Sequence, residues 1–99
     1  MERIVFGLDY DATFTADPDL WRQFIGDAQR RGHIVVCVTG RRTPPDFSRE
    51  PRMPASVPIV CAGPEYKRHA AAKAGYPVSI WIDDMPGMIE PTRILDFNQ

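Results

Sequence analysis

Four short apolar runs, each stopping at a polar or charged residue, constrain this chain more than any other feature. Ile4 to Leu8 runs into Asp9, His33 to Val38 into Thr39, Ile59 to Ala62 toward Pro64 and Glu65, and Val78 to Ile82 into Asp83. The runs are short and rich in β-branched residues, which fits strands buried on both faces of a sheet. Asp17-Pro18-Asp19 reads as a helix start, with Asp17 able to cap and Pro18 suited to the first turn. Trp21, Phe24, Ile25 and Ala28 then share one helical stripe, and Gly32 can end the helix. Pro64 and Glu65 open a second expected helix, alanine-rich through Ala74 and closed by Gly75 and Pro77. From Thr43 to Pro58 prolines rule out a sustained helical period, leaving room for one turn from Asp46 to Glu50. Strands alternating with helices imply an α/β fold with a mostly parallel sheet and right-handed crossovers. Thr92 to Leu95 reads as a short additional edge strand.

At 99 residues the chain is expected to form a single domain, residues 1–99. No run is long enough to span a bilayer and no leader pattern opens the chain, so a soluble, cytoplasmic protein with no membrane partner is expected. A formal net charge of -1 argues against broad affinity for nucleic acid or membrane. The charge is nonetheless uneven. Arg41, Arg42, Arg49, Arg52, Lys67 and Arg68 hold half of the 12 basic residues, opposed in that interval only by Asp46, Glu50 and Glu65. Cys37 and Cys61 sit inside apolar runs, which fits buried reduced thiols better than a disulfide.

In parallel α/β sheets ligands bind beyond the carboxyl ends of the strands, near the point where strand order reverses. That edge is where Asp9, Thr39, Lys67 and Asp83 are expected to meet. Asp9, Asp11, Asp83 and Asp84 would repel one another unless protons or a cation intervene. Oxygen ligands suit Mg²⁺, which takes one or two carboxylates and keeps several waters. Lys67 and the neighbouring arginines would add the positive charge that a dianionic phosphate needs. Asp9 could then attack phosphorus, Asp11 could protonate the leaving oxygen and later activate water, and Thr39 and Lys67 could hold the equatorial oxygens.

These residues resemble the motifs of the haloacid dehalogenase (HAD) superfamily of phosphohydrolases. Asp9-Tyr10-Asp11-Ala12-Thr13 matches D-x-D-x-T after an apolar strand, and Thr39 matches the hydroxyl residue ending the next strand. Lys67 matches the lysine near the start of the helix before the last core strand, and Asp83-Asp84 the closing acidic pair. The resemblance runs from Ile4 to Asp84 in the family's order. It implies an abridged Rossmann-like three-layer fold with strand order 3-2-1-4, extended to 3-2-1-4-5 if the tail adds a strand. It implies a hydrolase: a Mg²⁺-dependent phosphatase with Asp9 as nucleophile and Asp11 as general acid and base. Metal ligands would be the Asp9 and Asp83 side chains and the Asp11 carbonyl, supported by Asp84. Thr39, Gly40, Arg41 and Lys67 would bind the phosphate. Many members have glycine where this chain has Ala12, and alanine is expected to fit if its φ is negative.

Neither the loop from Asp11 to Pro18 nor the gap from Ala62 to Pro64 has room for an inserted cap domain. A capless site is expected to be open, serving a nucleotide, a nucleic-acid 3′-phosphate end, a small phosphomonoester or a phosphoprotein, or to be covered by a second subunit in a homodimer. The loop from Arg41 to Pro58 is expected to do part of a cap's work by contacting substrate. Several residues fit two readings. Lys73 rivals Lys67, Asp84 suits a ligand or a cap, and Arg41 and Arg42 suit solvent or substrate. Tyr10 suits the substrate mouth or a cover for the sheet edge. Trp21 and Trp81 read as core. A non-catalytic binding module with the same fold is the competing class. A phosphoacceptor receiver domain fits less well, because Ile59 to Ala62 ends without an acid.

Overall fold

A computed structural model describes residues 2–91, so the edge strand expected at Thr92 to Leu95 lies outside the described residues. Strands β1 (Val5–Leu8), β2 (Ile34–Thr39), β3 (Ile59–Cys61) and β4 (Ile80–Ile82) form one all-parallel sheet in the order β3-β2-β1-β4. Helix α1 (Pro18–Arg30) joins β1 to β2, and α2 (Lys67–Lys73) joins β3 to β4. This is the α/β class and strand order that the apolar runs and the resemblance led us to expect.

Side chains alternate across a strand, and β2 shows the consequence. Val35 and Cys37 point into one cluster with Leu8, Ile25 and Ala28, beneath α1. Val36 and Val38 point into a second cluster with Val5, Ala71 and Val78, beneath α2. The sheet is thus buried on both faces, in three layers. Asp17 caps α1 by accepting the Leu20 N–H at 3.2 Å, and Gly32 follows the helix with φ +86°.

Several boundaries differ from expectation, most by one residue and two by more. Helix α2 starts at Lys67 rather than Pro64, because Gly63 takes φ +57° and Glu65 N–H bonds back to Ala62 in a turn. Strand β4 starts at Ile80 rather than Val78, since the backbone after Pro77 turns at Tyr76–Val78 before Ser79 N–H reaches Val5 on β1. Strand β2 includes Thr39 but not His33, whose Nδ1 accepts the Ile4 N–H at 3.0 Å.

Gly7 faces Trp81 on the neighbouring strand, and a Cβ there would lie 2.7 Å from Trp81 Cε3 and 2.9 Å from Val78 Cγ1. Gly7→Ala is therefore expected to cost about 1–3 kcal/mol through overpacking. Urea unfolding of the two proteins measures it, and an unchanged midpoint would mean that Trp81 moves aside freely.

Residues 40–58 replace the helix that would otherwise join β2 to β3. The segment is pinned along its length. Tyr10 Oη donates to the Pro51 carbonyl at 2.6 Å, Arg22 donates to the Arg52 carbonyl, and Met53 and Val57 are buried in the α1-side core. The expected turn forms, with Arg49 and Glu50 N–H both bonding to the Asp46 carbonyl. Tyr10 is fully buried, stacked on Phe14, so it is a core residue rather than part of the substrate mouth.

Candidate active site

The topology reverses between β1 and β4: the chain steps outward from β1 to β2 to β3, then returns to the other side of β1. Asp9 directly follows β1 and Asp83 directly follows β4, so the two carboxylates flank that reversal. Asp9 N–H extends the pairing by bonding to the Ile82 carbonyl at 2.9 Å. Lys67, first residue of α2, reaches back between them. Its Nζ lies 2.7 Å from Asp9 Oδ1 and 2.6 Å from Asp83 Oδ2, with its side chain only 5% exposed. Lys73 instead pairs with Glu65 on the surface, at 2.7 Å, away from these carboxylates.

Thr13 ties in the fourth acid. Its hydroxyl lies 3.1 Å from Asp9 Oδ2 and 3.2 Å from Asp84 Oδ1, and accepts the Asp84 N–H. A hydroxyl has one proton, so it serves one of the two carboxylates at a time. Among the described residues one ammonium and one hydroxyl proton thus face three converging carboxylates, too little to balance them. Burial is the main reason that the Asp9 carboxyl is pushed up to about 6, with Asp84 and Asp83 adding to the rise and Lys67 opposing it. Burial pulls Lys67 down, but Asp83 and Asp9 more than offset it, so the ammonium is held above its ordinary value. Its hydrogen bond with Asp9 keeps Asp84 below the usual carboxylate range.

Asp9, Asp83 and Asp84 each present a carboxylate oxygen, all within 4.8 Å of one another. Mg²⁺ holds oxygens at 2.0–2.1 Å, so opposite ligands stand about 4.2 Å apart. Hard oxygen donors, an excess of negative charge and this spacing fit such an ion after small side-chain closure. The Asp11 side chain is not part of that group. Arg41 grips it with two bonds, Nε to Oδ2 at 2.9 Å and Nη2 to Oδ1 at 2.7 Å. That grip holds the Asp11 carboxyl below its usual range.

The carboxylates open into a cavity of about 340 Å³, lined also by Gly40, Arg41, Met85 and Met88. Thr39 is fully buried and is not among the lining residues; its hydroxyl accepts the Arg41 N–H at 3.2 Å and shapes the turn after β2. Glu50 is the residue that sequence reasoning missed. It holds the other side of Arg41, at 2.9 and 2.6 Å. Its signal was its place among the few acids in a basic segment, but proline-rich backbone gives no period from which to read its partner.

Ala12 also lines the cavity, and its φ is +62°, not the negative value expected. The turn is held by Ala12 N–H donating to Thr15 Oγ1 at 3.0 Å. A Cβ in the left-handed region costs about 1–2 kcal/mol, partly offset in a glycine variant by unfolded-chain entropy. Ala12→Gly is therefore expected to gain about 0.5–1 kcal/mol, read as a higher melting temperature. A lower one would mean that the Ala12 methyl packs favourably.

Cys37 is buried with its thiol pushed up to about 12 by burial, and Cys61 is half-buried; both are free. No helix among the described residues is long and apolar enough to cross a membrane. The fold and site together define an α/β protein with a lysine-bridged acidic centre at the carboxyl edge of a parallel sheet. The chain matches no family model, no curated protein and no solved structure.

Proposed function

We propose that this protein is a phosphatase of the HAD type, hydrolysing a phosphomonoester through an aspartyl-phosphate on Asp9. The observation that carries this reading is the buried Asp9 carboxylate at the reversal of strand order, bridged by Lys67 to Asp83 and facing a cavity. Mg²⁺ is the proposed cofactor, held by Asp9, Asp83 and Asp84 with the Asp11 carbonyl, and when bound it supplies charge that draws phosphate and carboxylate together.

In the first step an Asp9 oxygen forms a bond to phosphorus and the bond to the leaving oxygen breaks. Asp11 gives that oxygen its proton. In the second step water attacks phosphorus, Asp11 takes the water's proton, and the bond to Asp9 breaks. The ionised resting form of Asp11 suits the second half. For the first half it must gain a proton, and an entering phosphate dianion raises its proton affinity through like-charge repulsion. Lys67 neutralises oxygens on the phosphorus while keeping Asp9 aligned. Gly40, next to Thr39 and lining the cavity, can let a phosphate oxygen approach the backbone.

Among the described residues no inserted domain covers the site, and a cavity of this size takes a phosphoryl group with part of its ester. A nucleotide or a nucleic-acid 3′-phosphate end is the proposed substrate class; a homodimer that covers the opening is a further part of this reading. Hydrolysis of para-nitrophenyl phosphate, with Mg²⁺ and then with chelator, tests the activity. The reading expects phosphate release only with the cation. Activity indifferent to chelator would overturn the metal-dependent mechanism, and Mg²⁺ binding without turnover of any ester would favour a binding module.

A further inference from the structure

The Arg41 guanidinium has five N–H donors in a fixed plane. Asp11 takes Nε–H and one Nη2–H, while Glu50 takes one Nη1–H and the other Nη2–H, at 2.6 to 2.9 Å. Only one N–H is left over, so Arg41 is poorly placed to be the phosphate clamp expected from its position in the sequence. Its plane is fixed from a third direction by the Tyr10 ring, 5.3 Å from Arg41 Cζ.

Glu50 is itself held. Its Oε2 accepts the Asp46 N–H at 3.0 Å, its own N–H bonds to the Asp46 carbonyl, and Asp46 is fastened by Ser48. The next residue, Pro51, receives the Tyr10 hydroxyl. The chain of contacts therefore runs from a pinned turn through Glu50 to Arg41, and from Arg41 to both oxygens of Asp11. Asp11 is otherwise half exposed, with its side chain 55% accessible, and no other side chain among the described residues bonds to it.

We propose that Glu50 is a positioning residue: acting through Arg41, it holds the Asp11 carboxylate where proton transfer to the leaving group occurs. The loop of residues 40–58 then contributes to catalysis as a fixed wall that orients the acid, rather than as a lid that grips substrate. The inference rests on the phosphatase reading above and deepens it.

Two esters separate this role from a structural one. The phenolate of para-nitrophenyl phosphate leaves with little help from an acid, whereas the alkoxide of an alkyl phosphate monoester leaves only with a proton. Glu50→Gln keeps the shape and removes the charge-assisted fork. It is expected to lower kcat on the alkyl ester by about 10- to 100-fold, a share of what general acid catalysis supplies, with KM nearly unchanged. On the aryl ester the loss is expected to stay within about threefold. In an Asp11→Asn background Glu50→Gln is expected to add nothing further, because both act on one proton transfer.

Equal losses on both esters, a rise in KM on both, or full additivity with Asp11→Asn would overturn the proposal. Should Glu50→Gln fail to fold, Arg41→Lys reads the same ester ratio, since a point charge cannot make two forks. A parent protein inactive on both esters removes the phosphatase reading and this inference with it. A parent whose activity requires Asp9, but whose ester ratio ignores Glu50, removes the inference alone.

Discussion

Asp9→Asn is expected to abolish phosphate release, by about 10⁴-fold or more, while leaving the protein at least as stable as the parent. The activity loss follows from the role: an amide oxygen is a poor nucleophile, and among the described residues no other carboxylate stands at the end of β1 against Lys67. The stability effect follows from burial. The Asp9 carboxyl is pushed up to about 6 chiefly because ionising it places a charge where burial keeps water away. The folded state therefore binds this proton more tightly than the unfolded chain. That contribution is complete below about pH 4 and is lost as pH rises through about 6, so at neutral pH without a divalent cation the ionised group weighs on the fold. Asparagine removes that load, on the order of 2 kcal/mol, and its amide oxygen still accepts from Lys67. Denaturant unfolding in chelator at pH 5 and pH 7 measures it. A variant less stable than the parent at both pH values would show that the Lys67 ion pair outweighs desolvation.

Lys67→Met should act in the opposite sense. Methionine keeps much of the stem's volume, so the loss reports the ammonium. Removing one partner of a buried ion pair costs about 3–5 kcal/mol, and here one ammonium serves two carboxylates. Asp9, Asp83 and Asp84 would then converge with no cation between them. The variant is expected to be strongly destabilised in chelator and to recover more stability with added Mg²⁺ than the parent does. Saturation at a hundred times the dissociation constant supplies about 2.7 kcal/mol. Unfolding midpoints with and without Mg²⁺ check both parts. A loss under 1 kcal/mol, or no difference in the Mg²⁺ response, would mean that the carboxylates find water instead.

Much of this arrangement is legible in the sequence because it depends on periodic, local signals. Apolar runs of strand length ending in acids locate β1 and β4, and with them Asp9 and Asp83. Asp17, Pro18 and Gly32 bound α1 through capping and turn chemistry. Helix position favours Lys67 over Lys73, and it is Lys67 that meets Asp9 while Lys73 pairs with Glu65. What the sequence hides depends on irregular backbone. Between Gly40 and Pro58 no period relates one residue to the next, so nothing indicates that Glu50 folds back onto Arg41 or that Arg41 turns from solvent to Asp11. Ala12 conceals its left-handed backbone for a different reason: glycine advertises that conformation, and alanine in the same turn does not. Tyr10 reads as ambiguous beside two acids, yet its hydroxyl finds a carbonyl 41 residues away.

The central claim is that Asp9 carries the phosphoryl group between ester and water. Acid-quenched single turnover of a phosphomonoester with Mg²⁺, followed by peptide mass analysis, tests it most directly. The account predicts a transient phosphoryl group on the peptide bearing Asp9, present in the parent, absent in Asp9→Asn and absent with chelator. Turnover that proceeds at full rate in Asp9→Asn, with no phosphoryl group ever found on that peptide, would contradict it.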